Sequence, residues 1–299
     1  MESKEVVEKI LHVRAWHNKG VRAPHKPLLL LYALAKFLDG QHEIPYVDLE
    51  VDLKNLLSDF GPPRKSHRPE YPFWRLQHDK IWQVSLTSQV KENNSGDVSR
   101  KALLDAEAYG FFTEKVVEIF TQEPSLVNYL IKELLESNFP NTIHEDILQS
   151  IGINLQEYDA GFEKRKRCSK FREKILQAYE YRCAVCGFDV RLGHTPIALE
   201  AAHIKWHQAG GPDIERNGLA LCALHHKLFD RGAFTLSAKS EILVSDKANG
   251  HNGFRQWLMQ YHGKRIHSPQ SKCYTPEYDF LSWHTEEVFQ GNFREMSSP

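Results

Sequence analysis

The sequence predicts an α+β protein of two domains: a mostly helical N-terminal domain with a small sheet, and a C-terminal module of short strands and helices. Three observations predict it. At 299 residues the chain is roughly twice a usual domain length. Apolar residues recur at helical spacing through the first half and fade after Ile153. All five cysteines (Cys168, Cys183, Cys186, Cys222 and Cys273) lie in the second half, so the two halves rest on different chemistry. The boundary falls between about 150 and 167, a stretch that includes the basic junction 163–167, giving domains over 1–155 and 165–299.

Taken in order, residues 2–19 predict an amphipathic helix with Val6, Ile10, Val13 and either Trp16 or His17 turned inward. His25, Lys26 and Pro27 open an apolar helix that runs to Leu38. Proline suits a helix's first turn, where its missing N–H has no partner to lose. Val47, Leu49, Leu53, Leu56, Leu57 and Phe60 mark a helix over 47–60. Gly61, Pro62 and Pro63 then begin a loop over 61–72, basic through Arg64, Lys65, His67 and Arg68. Residues 71–76 and 81–84 predict two strands about the turn His78-Asp79-Lys80. Helices follow over 99–108, 126–135, 143–151 and 169–179. Then come a strand over 197–204, a helix over 223–229, strands at 233–236 and 241–245, and a short helix at 254–261. The weakly patterned tail offers Phe254, Trp257, Leu258, Tyr274 and Phe280 for packing on this module or on a second copy.

The 38 Lys and Arg nearly balance the 39 Asp and Glu, which excludes a polycation that holds nucleic acid by bulk charge but allows local basic faces. One such face is Lys164 to Arg167 with Lys170, Arg172 and Lys174, suited to phosphates. The N-terminus lacks the pattern of a signal peptide, and the longest apolar run, Leu28–Leu38, is too short to span a membrane. A soluble, cytoplasmic protein is expected.

An odd, clustered set of cysteines is a poor disulfide framework. Cys183-x-x-Cys186 followed by Gly187 reads as a metal knuckle; the rival, a redox pair, belongs at the start of a helix after a central strand. Cys222-x-x-His225 repeats the spacing. Three thiolates and one imidazole suit tetrahedral Zn2+ in a closed structural site, and the spacing favours His225 over His226 as the fourth ligand. His203, Asn217 and His226 are then left over. Arg231 suits either a phosphate or an ion pair with Asp230 or Asp213.

With these residues in this order, 179–237 resembles the HNH endonuclease family. The resemblance implies a ββα-metal fold, a strand hairpin and helix around a metal. It implies that His203 is the general base that activates the attacking water, and that Asn217 orients the base and its loop. His226 would bind a catalytic divalent cation, Mg2+ or Mn2+, which stabilises charge on the phosphate and the leaving 3′ oxygen. Ala202 stands where many members carry a second ligand. Glu200 is the nearest carboxylate; alternation puts it on the strand face opposite His203, and a bulge is expected to bring it to the cation beside His226.

The N-terminal half offers His25, Lys26, the loop 64–68, Tyr71, Pro72, Phe73, Trp74 and Arg100: cations beside an aromatic and proline surface. Phe73, Trp74 and Trp82 also suit the core of a small sheet, while Tyr71 and Pro72 fall at the loop edge. Asn93 and Asn94 suit either base edges or a surface turn. Residues 10–140 resemble the sulfur-binding domain of McrA-like type IV restriction endonucleases, which recognise phosphorothioate DNA. In that family an apolar pocket containing a proline accepts the sulfur, which is larger and less strongly hydrated than oxygen. The resemblance implies that His25 and Lys26, Tyr71 and Pro72, and Arg100 contact DNA. Pro72 exposed beside Lys26 and Arg100 is the structural expectation.

The whole reads as a modification-dependent restriction endonuclease acting on double-stranded DNA. One site cuts one strand, so a homodimer is expected. An HNH endonuclease reading methylcytosine or an unmodified site, and a non-catalytic zinc-containing DNA-binding protein, are the competing readings. A flipped base needs a deep aromatic pocket, whereas a backbone sulfur needs a shallow one.

Overall fold

Leu28, Leu29, Leu30 and Leu31 are consecutive and all fully buried, so no side of the helix that carries them faces water there. This helix, α2 (His25–Leu38), with Pro27 in its first turn, is the centre of the first of two compact units, Met1–Phe162 and Glu163–Pro299. The structure is a computed structural model that describes residues 2–13, 23–153 and 169–295. The readings that rest on Trp16, His17, the 163–167 junction and Cys168 lie outside the described residues.

In the first unit α1 (Ser3–Leu11) turns Val6 and Ile10 inward and packs on α7 (Pro124–Asn138), which also lines α2. Helix α3 (Tyr46–Phe60) buries Leu49, Leu53, Leu56, Leu57 and Phe60 but leaves Val47 58% exposed, so Val47 marks the helix without joining its core face. Each fully buried leucine contributes about 1.5–3 kcal/mol.

The small sheet is antiparallel in the order β1-β3-β2: β1 (Ile44–Pro45), β3 (Tyr109–Phe112) and β2 (Trp82–Ser85). Two expectations are corrected here. Residues 71–76 are not a strand; Glu70–Arg75 is a short helix, α4. Pro72 has no N–H to give a ladder but fits the first helical turn, and the Phe73 N–H donates to the Pro69 carbonyl at 3.2 Å. The partner of β2 is therefore β3, in which Gly110 stands opposite Val84. Gly110 is required by packing: a Cβ there would lie 2.2 Å from Trp82 Cζ2 and 2.8 Å from Phe73 Cε2. Phe73 and Trp82 are core residues, as one of their two readings had it. Helix α5 (Arg100–Asp105), capped by Ser99 Oγ accepting from the Ala102 N–H, precedes β3. Helix α6 (Glu114–Gln122), which the pattern did not predict, follows it, and α8 (His144–Ser150) comes after α7.

The second unit opens with α9 (Ser169–Ala178). A minor hairpin, β4 (Arg191–Leu192) with β5 (Thr195–Pro196), leads to the central one, β6 (Leu199–His203) with β7 (Gly218–Cys222). Helix α10 (Ala223–Asp230) follows directly, completing a ββα arrangement. A further hairpin, β8 (Phe234–Leu236) with β9 (Ile242–Val244), extends the core. The tail packs on its own unit: Leu258 is buried there, with Phe254, Tyr274 and Phe280 against the same cluster. Beyond α11 (Asn252–Trp257), an unpredicted α12 (Tyr278–Glu287) docks on β8. Its His284 stacks on Phe229 with ring centres 3.7 Å apart and bonds the Thr235 hydroxyl at 2.9 Å. Among the described residues no helix is long and apolar enough to cross a membrane.

Candidate functional site

Four ligand atoms from two turns converge in the second unit. Cys183, Cys186, Cys222 and His225 place one atom each within 4.8 Å of the others. The first turn closes because Gly187, at φ +74°, donates its N–H to the Cys183 carbonyl at 2.8 Å. The second is the step from β7 into α10. Cys186 Sγ and Cys222 Sγ are 3.9 Å apart, and His225 Nδ1 lies 3.7 Å from Cys183 Sγ and 3.1 Å from Cys222 Sγ. Ligands held tetrahedrally about zinc at ~2.3 Å are separated by about 3.8 Å, so the donor set fits a closed metal site. His225 Nε2 bonds the Trp257 carbonyl at 2.8 Å, which turns Nδ1 toward the thiols. Burial disfavours the His225 cation, but hydrogen bonding to the three cysteines outweighs it and pushes it up to about 12.

His203, Asn217 and His226 lie around the same hairpin. His203 ends β6; its Nε2 is 2.8 Å from Asp213 Oδ1, and its ring stacks on Phe171 of α9 with centres 3.9 Å apart and planes 11° from parallel. Burial is the largest influence on His203 and lowers its pKa below the ordinary 6.5, with Asp213 opposing. Asn217 is fully buried and fully bonded. Its Oδ1 accepts from the Lys205 N–H at 2.8 Å, and its Nδ2 donates to the Lys205 and Pro212 carbonyls at 3.0 Å each. It therefore pins both ends of the loop that brings Asp213 to His203.

His226 lies between two carboxylates. Nδ1 is 2.6 Å from Glu200 Oε2 and Nε2 is 3.1 Å from Asp230 Oδ2. Asp230 Oδ1 accepts from the Trp206 indole N–H at 3.2 Å. Burial would depress the His226 cation, but Asp230 and Glu200 outweigh it and hold it up at about 9. The expected bulge is absent: β6 and β7 pair without interruption from Leu199–Cys222 to His203–Gly218, and Glu200 reaches His226 by ordinary alternation. Asp213 and Asp230 are the residues that sequence reasoning missed here. Asp230 offered a signal, because it follows His226 by four positions and so shares its helix face; Asp213 comes from a loop and offered none.

In the first unit the predicted residues divide. Arg100 is 60% exposed and pairs with Glu50. The buried Tyr46 hydroxyl beside this pair has no hydrogen-bond partner among the described residues. Tyr71 is half-buried, with the Arg68 and Arg75 guanidiniums 5.5 and 4.9 Å from its ring centre. Arg68 also donates to its hydroxyl at 2.7 Å. Two expectations are corrected. Pro72 is buried, because it sits inside the first turn of α4 and not at a loop edge. Lys26 is 13% exposed and bonded to Asp79 at 2.5 Å, so its charge is already neutralised. Burial, then the nearby His67 and Arg64, push His25 down to about 4, so it is a neutral hydrogen-bonding group at neutral pH. Asn93 serves a turn, its Oδ1 accepting from the Ser95 and Asp97 N–H groups.

The family model of the ScoMcrA-like DNA sulfur-binding domain matches residues 3–156, and that of the HNH endonuclease matches 183–237. Among solved structures, the chain is similar to the sulfur binding domain of ScoMcrA complexed with phosphorothioated DNA, at 19% identity and TM-score 0.45 over 52% of this chain and 98% of that one. The corresponding SprMcrA domain gives 18% and 0.44 over 54% and 98%. The modification-dependent TagI restriction endonuclease gives 22% and 0.29 over 44% and 41%. No curated protein sequence matches.

Proposed function

The chain belongs to the family of the ScoMcrA-like DNA sulfur-binding domain, and from that premise we propose that it is a modification-dependent restriction endonuclease. It recognises phosphorothioate-modified double-stranded DNA and hydrolyses phosphodiester bonds nearby through its HNH site, within a prokaryotic cytoplasm. The observation that carries this reading is the union in one chain of the sulfur-binding match over 3–156 with an HNH match over 183–237.

In the cutter, His203 takes the proton from water as its oxygen attacks phosphorus. The bond to the 3′ oxygen breaks, and that oxygen leaves with a proton from solvent. A lowered imidazole pKa supports this role, since the base is neutral at physiological pH. Glu200 and His226 are the residues that would hold Mg2+ or Mn2+, with Asp230 orienting His226 from its far nitrogen. The cation, when bound, supplies charge stabilisation on the phosphate and leaving oxygen. Cys183, Cys186, Cys222 and His225 are the residues that would hold structural Zn2+.

In the reader, Arg100 and Tyr71 make the outer contact with the modified backbone and His25 donates or accepts a neutral hydrogen bond. Pro72, buried, and Lys26, paired with Asp79, make no direct contact in this reading. Two copies cut the two strands as a homodimer. Matched duplexes with and without one phosphorothioate linkage, incubated with the chain and Mg2+ or Mn2+, test the reading: only the modified duplex is cut. Equal cutting of both would sink it.

A further inference from the structure

The His203 imidazole is held from two directions by residues that no motif includes. Asp213, from the loop between β6 and β7, meets Nε2 at 2.8 Å, and the Phe171 ring lies flat against one face. An ionised carboxylate only accepts hydrogen bonds, so Nε2 must carry the proton. Nδ1 is then the lone pair, and no described residue bonds to it. The His203 side chain retains 21% exposure. The flat contact with Phe171 removes the ring's freedom to rotate, and Phe171 is itself fixed: it is 6% exposed, and a Cβ on Gly218 would approach its Cζ to 3.1 Å. Asp213 in turn depends on Asn217, which bonds the loop at Lys205 and Pro212.

We propose that Asp213 and Phe171 are positioning residues that clamp His203 with its proton on Nε2, so that Nδ1 is the atom that accepts the proton from the attacking water. The proposal rests on the reading of His203 as general base. Asp213 does here what a buried carboxylate does for a catalytic histidine in other hydrolases: it selects the tautomer and stabilises the imidazolium formed in the step. Phe171 has a different task, keeping the acceptor aimed while one ring face stays dry. The charged and titratable groups facing His203 are Asp213, His207 and Asp230, and Asp213 has the largest favourable influence on its protonated form.

The test compares wild type with Asp213→Asn and Phe171→Leu by two readouts. The first is the long-range 1H–15N spectrum of the His203 ring in the full chain. Wild type shows the Nε2-protonated tautomer; Asp213→Asn, whose amide also donates, shows a mixture. The second is single-turnover cleavage of a phosphorothioate duplex against pH. Asp213→Asn lowers the plateau by roughly a hundredfold and moves the acid limb to lower pH, because the carboxylate's support for the imidazolium is gone. Phe171→Leu keeps apolar volume and lowers the plateau by roughly tenfold with little movement of the limb. A wild-type ring protonated on Nδ1, or an Asp213→Asn variant with unchanged plateau and limb, would overturn the clamp. Full cleavage by His203→Ala overturns the base assignment instead, so the two failures are distinct.

Discussion

Substituting serine for Cys222 tests the metal cluster most sharply. Cys222 Sγ lies 3.1 Å from His225 Nδ1 and 3.9 Å from Cys186 Sγ, and it joins the end of β7 to the start of α10. Loss of one thiolate leaves three ligands and a gap in a buried, charged cluster. Structural zinc contributes ~10–16 kcal/mol in small modules, whereas a whole domain is stable by only ~5–15 kcal/mol. A loss of even a third of the metal's contribution removes about 3–5 kcal/mol, a large share of the unit's margin. At about 3 °C per kcal/mol for a unit of this size, the second unit should melt at least ~10 °C lower. The assay is metal content by elemental analysis together with thermal unfolding, with and without a strong chelator. Wild type should carry about one zinc per chain and melt lower with chelator, and Cys222→Ser should carry none. Cys273→Ser, at an exposed cysteine outside the cluster, is the control and should match wild type. A metal-free wild type whose melting is unmoved by chelator would refute the argument.

Other predictions concern catalysis, binding and packing. His203→Ala should lose cleavage by about 10²–10⁴-fold while still binding phosphorothioate DNA in a gel shift, because the base does not hold substrate. Wild-type cleavage should fall only as pH drops through a value below 6.5, since burial lowers the His203 pKa and the neutral ring is the active form; a limb above 6.5 would contradict this. Arg100→Ala should weaken binding and reduce the slope of log affinity against log salt by about 1, measured by fluorescence anisotropy. Gly110→Ala should destabilise the first unit by ~1–3 kcal/mol or more in a urea melt, because its methyl would fall 2.2 Å from the Trp82 ring.

What was legible in the sequence follows from how local each signal is. Helix α2 could be read to the residue, because Pro27 is local punctuation at the start of an apolar run that ends at Leu38. The cluster capable of holding a metal was legible because each turn contributes a pair three residues apart. Strand β3 was not, because its cause is tertiary: Gly110 makes room for Trp82 and Phe73, and nothing in its neighbours reveals that. Helix α4 was misread because aromatic residues at 71–74 favour a strand on composition, while one proline's missing donor decides against it. In the site, His203 and His226 stand in a motif, but the carboxylates that orient them, Asp213 and Asp230, carry roles defined only by proximity.

The function proposed for this chain is to read sulfur in the DNA backbone and then cut. Two duplexes of one sequence, identical but for a single sulfur replacing a non-bridging oxygen, test it most directly when incubated with the chain and Mg2+ or Mn2+. Cleavage of the modified duplex alone, lost in His203→Ala, is the expected result. Equal cleavage of both duplexes, or of neither, would contradict it.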